Sequence, residues 1–112
     1  MSPNQIILLL STVVLLSVGQ VLFKLAAMEM KNIDISSILQ PKLIVALFVY
    51  GVGTVLWIAT LRQTPLHIAY PFVGLAFLIV PVLSWFWMSE QISLNTILGG
   101  VIILIGVWIA VS

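Results

Sequence analysis

Apolar and polar positions divide the chain into four long apolar runs separated by short polar breaks. The runs cover Ile6 to about Met28, Leu43 to Leu61, His67 to Met88 and Leu94 to Val111. Each is close to the roughly 20 residues a helix needs to cross about 30 Å of hydrocarbon. None shows the alternation of a barrel strand with one face to lipid and one to a lumen. The pattern predicts an all-α integral membrane protein, a bundle of four transmembrane helices with short loops, forming one domain over residues 1–112. Gln40-Pro41-Lys42 breaks the pattern before the second run, and Ser89 to Ser93 separates the third from the fourth. Only the connection from Glu29 to Lys42 is longer. Its Ile33, Ile35, Ile38 and Leu39 suit one turn of interfacial helix or a plain loop, and we read it as a loop.

The third run carries Pro71 and Pro81. A proline inside a helix removes a hydrogen bond and clashes with the preceding turn, at about 3 kcal/mol. In lipid it survives where neighbouring helices or polar side chains cover the freed carbonyls. Span three is therefore expected to be bent and lined by partners.

Composition agrees with the pattern. Hydrophobic residues make up 62% of the chain and charged residues 6%, against about a quarter charged in a soluble domain. A net charge of +1 is too small to argue for nucleic acid or an acidic partner. The absence of cysteine excludes disulfides and thiolate metal sites. The single His and the three carboxylates are scattered, so no metal, cofactor or catalytic centre is expected, and the chain does not read as an enzyme. The N-terminus MSPNQIILLL lacks the basic region of a signal peptide, and its apolar run reads as a retained first span. Lys31 and Lys42 lie in the first loop and Arg62 in the second. The positive-inside rule then favours a cytoplasmic first loop with both termini outside, by a margin of only about one charge, so both orientations stay open.

Polar groups within the spans are the candidates for chemistry. Lys24 lies about one turn from the end of span one, and Gln20, four residues earlier, shares its face. They read either as the mouth of a cavity suited to a phosphate or sugar hydroxyl, or as a snorkelling anchor beside a helix-contact amide. Span two places Ala46, Tyr50, Gly53, Trp57 and Thr60 on one face, which reads first as packing, with Tyr50 and Trp57 as alternative cavity walls. Arg62 is suited to bind phosphate bidentately or to act as a topological anchor, and His67 beside it reads as interfacial.

Along span three, Tyr70, Gly74, Phe77, Pro81 and Ser84 share a face with Trp85 beside it. That face suits the wall of a lipid-like ligand and equally a helix interface. Trp85 and Trp87 also fit an aromatic belt, and Glu90 falls in the headgroup region. Ser93 and Asn95 are candidate caps for span four. Gly99, Gly106 and Ala110 form a smooth stripe on span four that suits close packing, read here as a dimer contact.

The chain resembles, over nearly its whole length, the drug/metabolite transporter superfamily and its four-span small-multidrug-resistance-like branch. The resemblance is carried by GQVLFKLA in span one, HIAYPFVGLAFLIVPVLSWFWMSEQIS in span three and TILGGVIILIGVWI in span four. The multidrug exporters of that branch carry a glutamate eight residues before the lysine matched by Lys24; here that position is Leu16. No carboxylate lies within a span, which argues against their proton-coupled exchange.

Gly19-Gln20, Lys24 and the stretch Pro65 to Pro71 are more similar to the ArnE and ArnF subunits of aminoarabinose–phosphoundecaprenol flippases. That resemblance implies movement of an undecaprenyl-phosphate-linked sugar across the bacterial inner membrane, with Lys24 or Arg62 pairing with the phosphate. Gln20, Tyr50, Trp57, Tyr70, Trp85 and Glu90 complete the candidate substrate-binding set. Four thin spans hardly enclose a path, so transport implies a homodimer or a heterodimer with a similar small subunit. Three classes stay in play: a lipid-linked-sugar flippase, a small exporter of cations or metabolites, and a non-transporting accessory of a larger membrane enzyme.

Overall fold

Ser2 starts the first helix in the manner its sequence suggests. Its hydroxyl accepts the Gln5 N–H at 3.3 Å, and the Gln5 side chain takes the Ser2 N–H at 2.9 Å, with Pro3 in the first turn. In this computed structural model, which describes residues 2–112, the elements are α1 (Pro3–Glu29), α2 (Ile35–Ile38), α3 (Pro41–Leu61), α4 (Leu66–Val73), α5 (Ala76–Met88) and α6 (Leu94–Val111). No strand occurs among the described residues. Four helical segments are long and apolar enough to cross a membrane: α1, α3, α4 with α5, and α6. The fold is the expected all-α membrane bundle. At 27 residues, α1 is about 40 Å long and outreaches the hydrocarbon layer. Both ends of the bundle therefore carry polar groups. One end holds Glu29, the first loop and Glu90; the other holds the chain termini, Arg62 and His67.

The connection from Glu29 to Lys42 departs from the loop we expected. Residues Ile35–Ile38 form one helical turn, because the Asp34 carboxylate accepts the Ser37 N–H at 2.8 Å and the Ser36 hydroxyl at 2.8 Å. These two donors favour the ionised form and hold the Asp34 carboxyl below its ordinary value. The Gln40 amide then donates to the Ala26 carbonyl at 3.1 Å, and Lys42 pairs with Glu29, tying the loop back to α1. At the opposite end the Gln5 amide donates to the Gln63 carbonyl at 3.3 Å.

α1 lies at the centre of the packing. One flank meets α3 along its length, the other meets α5 and α4, and α6 rests on α4 and α5. The result is a flattened body of 45 × 35 × 19 Å. Glycine sets the approach of α1 and α3. A Cβ on Gly19 would come within 3.1 Å of the Tyr50 ring, and one on Gly53 within 2.9 Å of Leu16. Ala46, Gly53 and Thr60 are buried there, which confirms the small face of span two as packing. The buried hydroxyls of Thr12, Ser17 and Thr60 donate to the Leu8, Val13 and Leu56 carbonyls of their own helices at 2.8, 2.7 and 2.9 Å. They thus need no partner from lipid.

Span three is broken rather than only bent. Between α4 and α5, Gly74 and Leu75 N–H groups donate to the carbonyls of Pro71 and Phe72 at 2.9 and 3.0 Å. Phe77 and Leu78 donate in the same short-range way to Gly74 and Leu75, both at 3.0 Å. Such i to i−3 bonds tighten the chain at the junction of α4 and α5, in the turn that follows Pro71. Gly74 is required at this point, since a Cβ would lie 2.9 Å from the Pro71 carbonyl oxygen and 3.2 Å from Val107 of α6. Pro81 is carried inside α5. Span four begins at the expected cap, with the Ser93 hydroxyl accepting the Thr96 N–H at 3.2 Å.

Candidate functional site

The residue after Gly19 faces a different neighbour. Successive helical positions are about 100° apart, so Gly19 turns to α3 while Gln20 turns to α5. Gln20, Val21 and Lys24 form one wall of a cleft of about 280 Å³, and Val80, Ser84, Met88 and Glu90 form the other. The same Gln20 and Val80 also line a neighbouring cleft of about 430 Å³, whose remaining walls are Val73, Ala76, Phe77 and Pro81. The two make one groove along α1 and α5. Its upper end, toward Glu29 and Glu90, holds Lys24, Ser84 and Glu90, and Gln20 stands where the two clefts join; beyond Gln20 the lower end, toward mid-membrane, is apolar and includes the exposed Phe77 ring.

Lys24 and Gln20 are both exposed in the groove. Lys24 is five residues from the end of α1, about 7.5 Å along the axis, close enough for its ammonium to sit at headgroup level. It makes no ion pair; among the described residues the only one is Lys42 with Glu29.

The other wall is held by a turn that sequence reasoning did not anticipate. Ser89 adopts the left-handed conformation, φ 56°, at the end of α5. A residue with a Cβ pays about 1–2 kcal/mol for that geometry. It folds the chain back so that the Glu90 N–H reaches the Ser84 carbonyl at 3.4 Å, while the buried Ser84 hydroxyl donates to the Glu90 carboxylate. Glu90 is thus held over the end of α5 by Ser84. The hint in the sequence was a serine six residues before an acid across a helix end; only the left-handed turn brings the two together.

The remaining candidates are dispersed. Tyr50 packs against Gly19, and its ring lies 5.4 Å from that of Phe23, so it belongs to the α1–α3 contact and not to the groove. Trp57 and Tyr70 meet edge to face at 6.4 Å on the Arg62 side of the bundle. There Tyr70 lines an open cleft with Leu66, His67 and Pro71. Trp85 is exposed on α5 away from the groove.

Arg62 is exposed at the opposite end of the bundle from Lys24, so the two cations do not share a site. On span four the helix contact inside the chain runs through Gly100, where a Cβ would come 2.9 Å from Leu78. Gly99 and Gly106 face open space, and Ala110 is exposed. No group of His, Cys, Asp and Glu capable of holding a metal occurs among the described residues.

This chain matches the model of the EamA-like transporter family over residues 2–112. It is 31% identical to a protein of Pseudomonas fluorescens (strain Pf0-1) described as a probable 4-amino-4-deoxy-L-arabinose-phosphoundecaprenol flippase subunit ArnE, covering 89% of this chain and 90% of that one. A protein of Aeromonas salmonicida (strain A449) with the same description is 34% identical over 79% of this chain and 80% of its own. An ArnF subunit of the corresponding description from Proteus mirabilis (strain HI4320) is 27% identical over 89% of this chain and 86% of its own. No solved structure matches. The four spans and the match along their whole length make this a multi-pass membrane protein of the EamA-like transporter family.

Proposed function

We propose that the chain is a flippase, or one subunit of one, that moves a polyprenyl-phosphate-linked sugar such as aminoarabinose–phosphoundecaprenol across the bacterial inner membrane. The observation that carries this reading is the graded groove between α1 and α5. Gln20 and Lys24 stand at its headgroup end, and Val73, Ala76 and Phe77 line its apolar continuation. A lipid-linked sugar needs that gradient, because its tail stays in hydrocarbon while its phosphate and sugar must be held by polar groups. Lys24 supplies a compact cation for the phosphate, and the Gln20 amide supplies both a donor and an acceptor for sugar hydroxyls. The relatives named as flippase subunits support the same substrate class.

The exporter alternative lacks its central group. The position at which the multidrug exporters carry their glutamate is Leu16, and Leu16 is packed against Gly53 in the α1–α3 contact. That flank offers neither a carboxylate nor room for a cation.

One copy leaves the groove open toward lipid, and a second wall follows from dimerisation with another copy or a similar small subunit. The outward-facing Gly99, Gly106 and Ala110 of α6 are the surface we assign to that contact. Arg62, with Tyr70 and Trp57 near it, receives the head group at the opposite face in this reading.

Reconstitution into proteoliposomes tests the proposal. A polyprenyl-phosphate aminosugar is placed in one leaflet, and its amine is titrated with a membrane-impermeant reagent from the other side. The wild type should make the amine reactive on the far side, and Lys24→Ala and Gln20→Ala should abolish this while inserting normally. Wild-type rates in both variants would overturn the assignment of the groove.

A further inference from the structure

We propose that Glu90 is the specificity residue of the groove, reading a positive charge on the head group, so that amine-bearing substrates are selected over neutral ones. This rests on the reading of the groove as a phosphate-lipid site and adds to it a role for the opposite wall. Glu90 is not a stray surface carboxylate. Ser84 holds it by hydroxyl and by backbone, and Ser89 adopts a left-handed turn to place it. It stands just beyond the C-terminus of α5, where the unpaired carbonyls already make the potential negative. Carboxylate and helix end therefore add, and a cation is what that place attracts.

Among the described residues no cation forms an ion pair with Glu90. Lys24 lines the same cleft but makes no ion pair with Glu90, and Lys42 is engaged by Glu29. The groove is consequently dipolar, with an ammonium and an amide on the α1 wall and a fixed carboxylate on the α5 wall. A phosphate lipid without a positive group would satisfy Lys24 and meet repulsion from Glu90. A head group with an amine beyond the phosphate satisfies both walls at once.

The test is binding of three probes to the purified full chain, in the assembly that extracts from membranes, held in lipid nanodiscs. The probes are farnesyl phosphate, farnesyl phosphate carrying an aminosugar, and the latter with its amine acetylated. The wild type should bind the free-amine probe about tenfold or more tighter than the acetylated one, the scale of one charge-assisted hydrogen bond. Glu90→Gln should erase that ratio while binding bare farnesyl phosphate at least as well as the wild type. Lys24→Gln should weaken all three probes and keep the ratio.

Equal binding of the amine and acetylated probes by the wild type, or a full preference retained in Glu90→Gln, overturns the role of Glu90 and leaves the phosphate site standing. Wild-type protein that binds none of the three overturns the phosphate site, and this inference with it. Should Glu90→Gln lose every probe, Glu90→Asp decides. Recovery of the amine preference supports the inference, and its absence overturns it.

Discussion

The two flanks of α1 are built from neighbouring residues to opposite ends. Gly19 belongs to the flank against α3, where Tyr50 and Phe23 fill the space and Leu16 presses on Gly53. Gln20, one residue on, belongs to the flank against α5, where the contact is looser and a groove, polar at one end and apolar at the other, runs between the helices. Small residues let backbones approach in lipid, where no hydrophobic drive holds helices together. The first flank therefore gains its stability from close contact. On the second flank, Gln20 and Lys24 of α1 face Val80, Pro81 and Met88 across the groove. One flank is close-packed, and the other leaves a groove open.

The largest expected effect separates the flanks by stability. Gly19→Leu must drive a branched side chain into the Tyr50 ring and backbone, and should lower unfolding stability by about 2–3 kcal/mol, the scale of overpacking. Gln20→Leu, next to it and exposed, should shift stability by less than about 0.5 kcal/mol yet abolish transport. Thermal unfolding in detergent, paired with the proteoliposome assay, measures both. Comparable destabilisation by the two would dissolve the contrast.

A smaller effect sharpens the description of the α5 wall. Ser84→Ala removes the hydroxyl that holds Glu90 and should cost about 1 kcal/mol, with a partial loss of transport and no loss of insertion. An unchanged transport rate would mean that the fixed position of Glu90 is not used.

The smallest effect lies outside both flanks, at α2. The Asp34 carboxyl is held below its ordinary 3.8 by the Ser37 N–H and Ser36 hydroxyl. A depressed folded value means the cap is intact above about pH 3.8 and is lost as pH falls further, through the depressed value. Exchange of the Ser37 amide should accelerate in that acid window, with the transmembrane helices unaffected. Uniform exchange across it would remove the cap from the account.

The spans were legible because lipid demands long apolar runs, and the four in the sequence match α1, α3, α4 with α5, and α6 closely. The break in span three was half legible. Pro71 announces a defect, but the close approach of Val107 from α6 to Gly74 is a contact no local pattern contains. The apolar spacing at Ile35–Ile38 suits a loop as well as a helical turn, and the Asp34 cap makes it a turn.

The residues that line the candidate groove are visible in the sequence, and their grouping is not. Gln20 and Lys24 on one helix face followed from their spacing, and Glu90 was picked out as polar near a span end. That Glu90 lies across a groove from Lys24, while Tyr50 turns to the α1–α3 contact and Arg62 to the other end of the bundle, is a matter of tertiary packing. The glycines show the same limit. Gly99 and Gly100 are adjacent in sequence, yet only Gly100 touches the chain's own α5.

The central claim is that the α1–α5 flank is an accessible binding groove and the α1–α3 flank is not. The chain lacks cysteine, so single introduced thiols report on each flank directly. Val80→Cys, in the groove, and Ala46→Cys, buried between α1 and α3, are exposed to a water-soluble thiol reagent with and without farnesyl phosphate. The account predicts rapid labelling of Val80→Cys that farnesyl phosphate suppresses, and no labelling of Ala46→Cys. Equal labelling at the two positions, or labelling of Val80→Cys that farnesyl phosphate leaves unchanged, would contradict it.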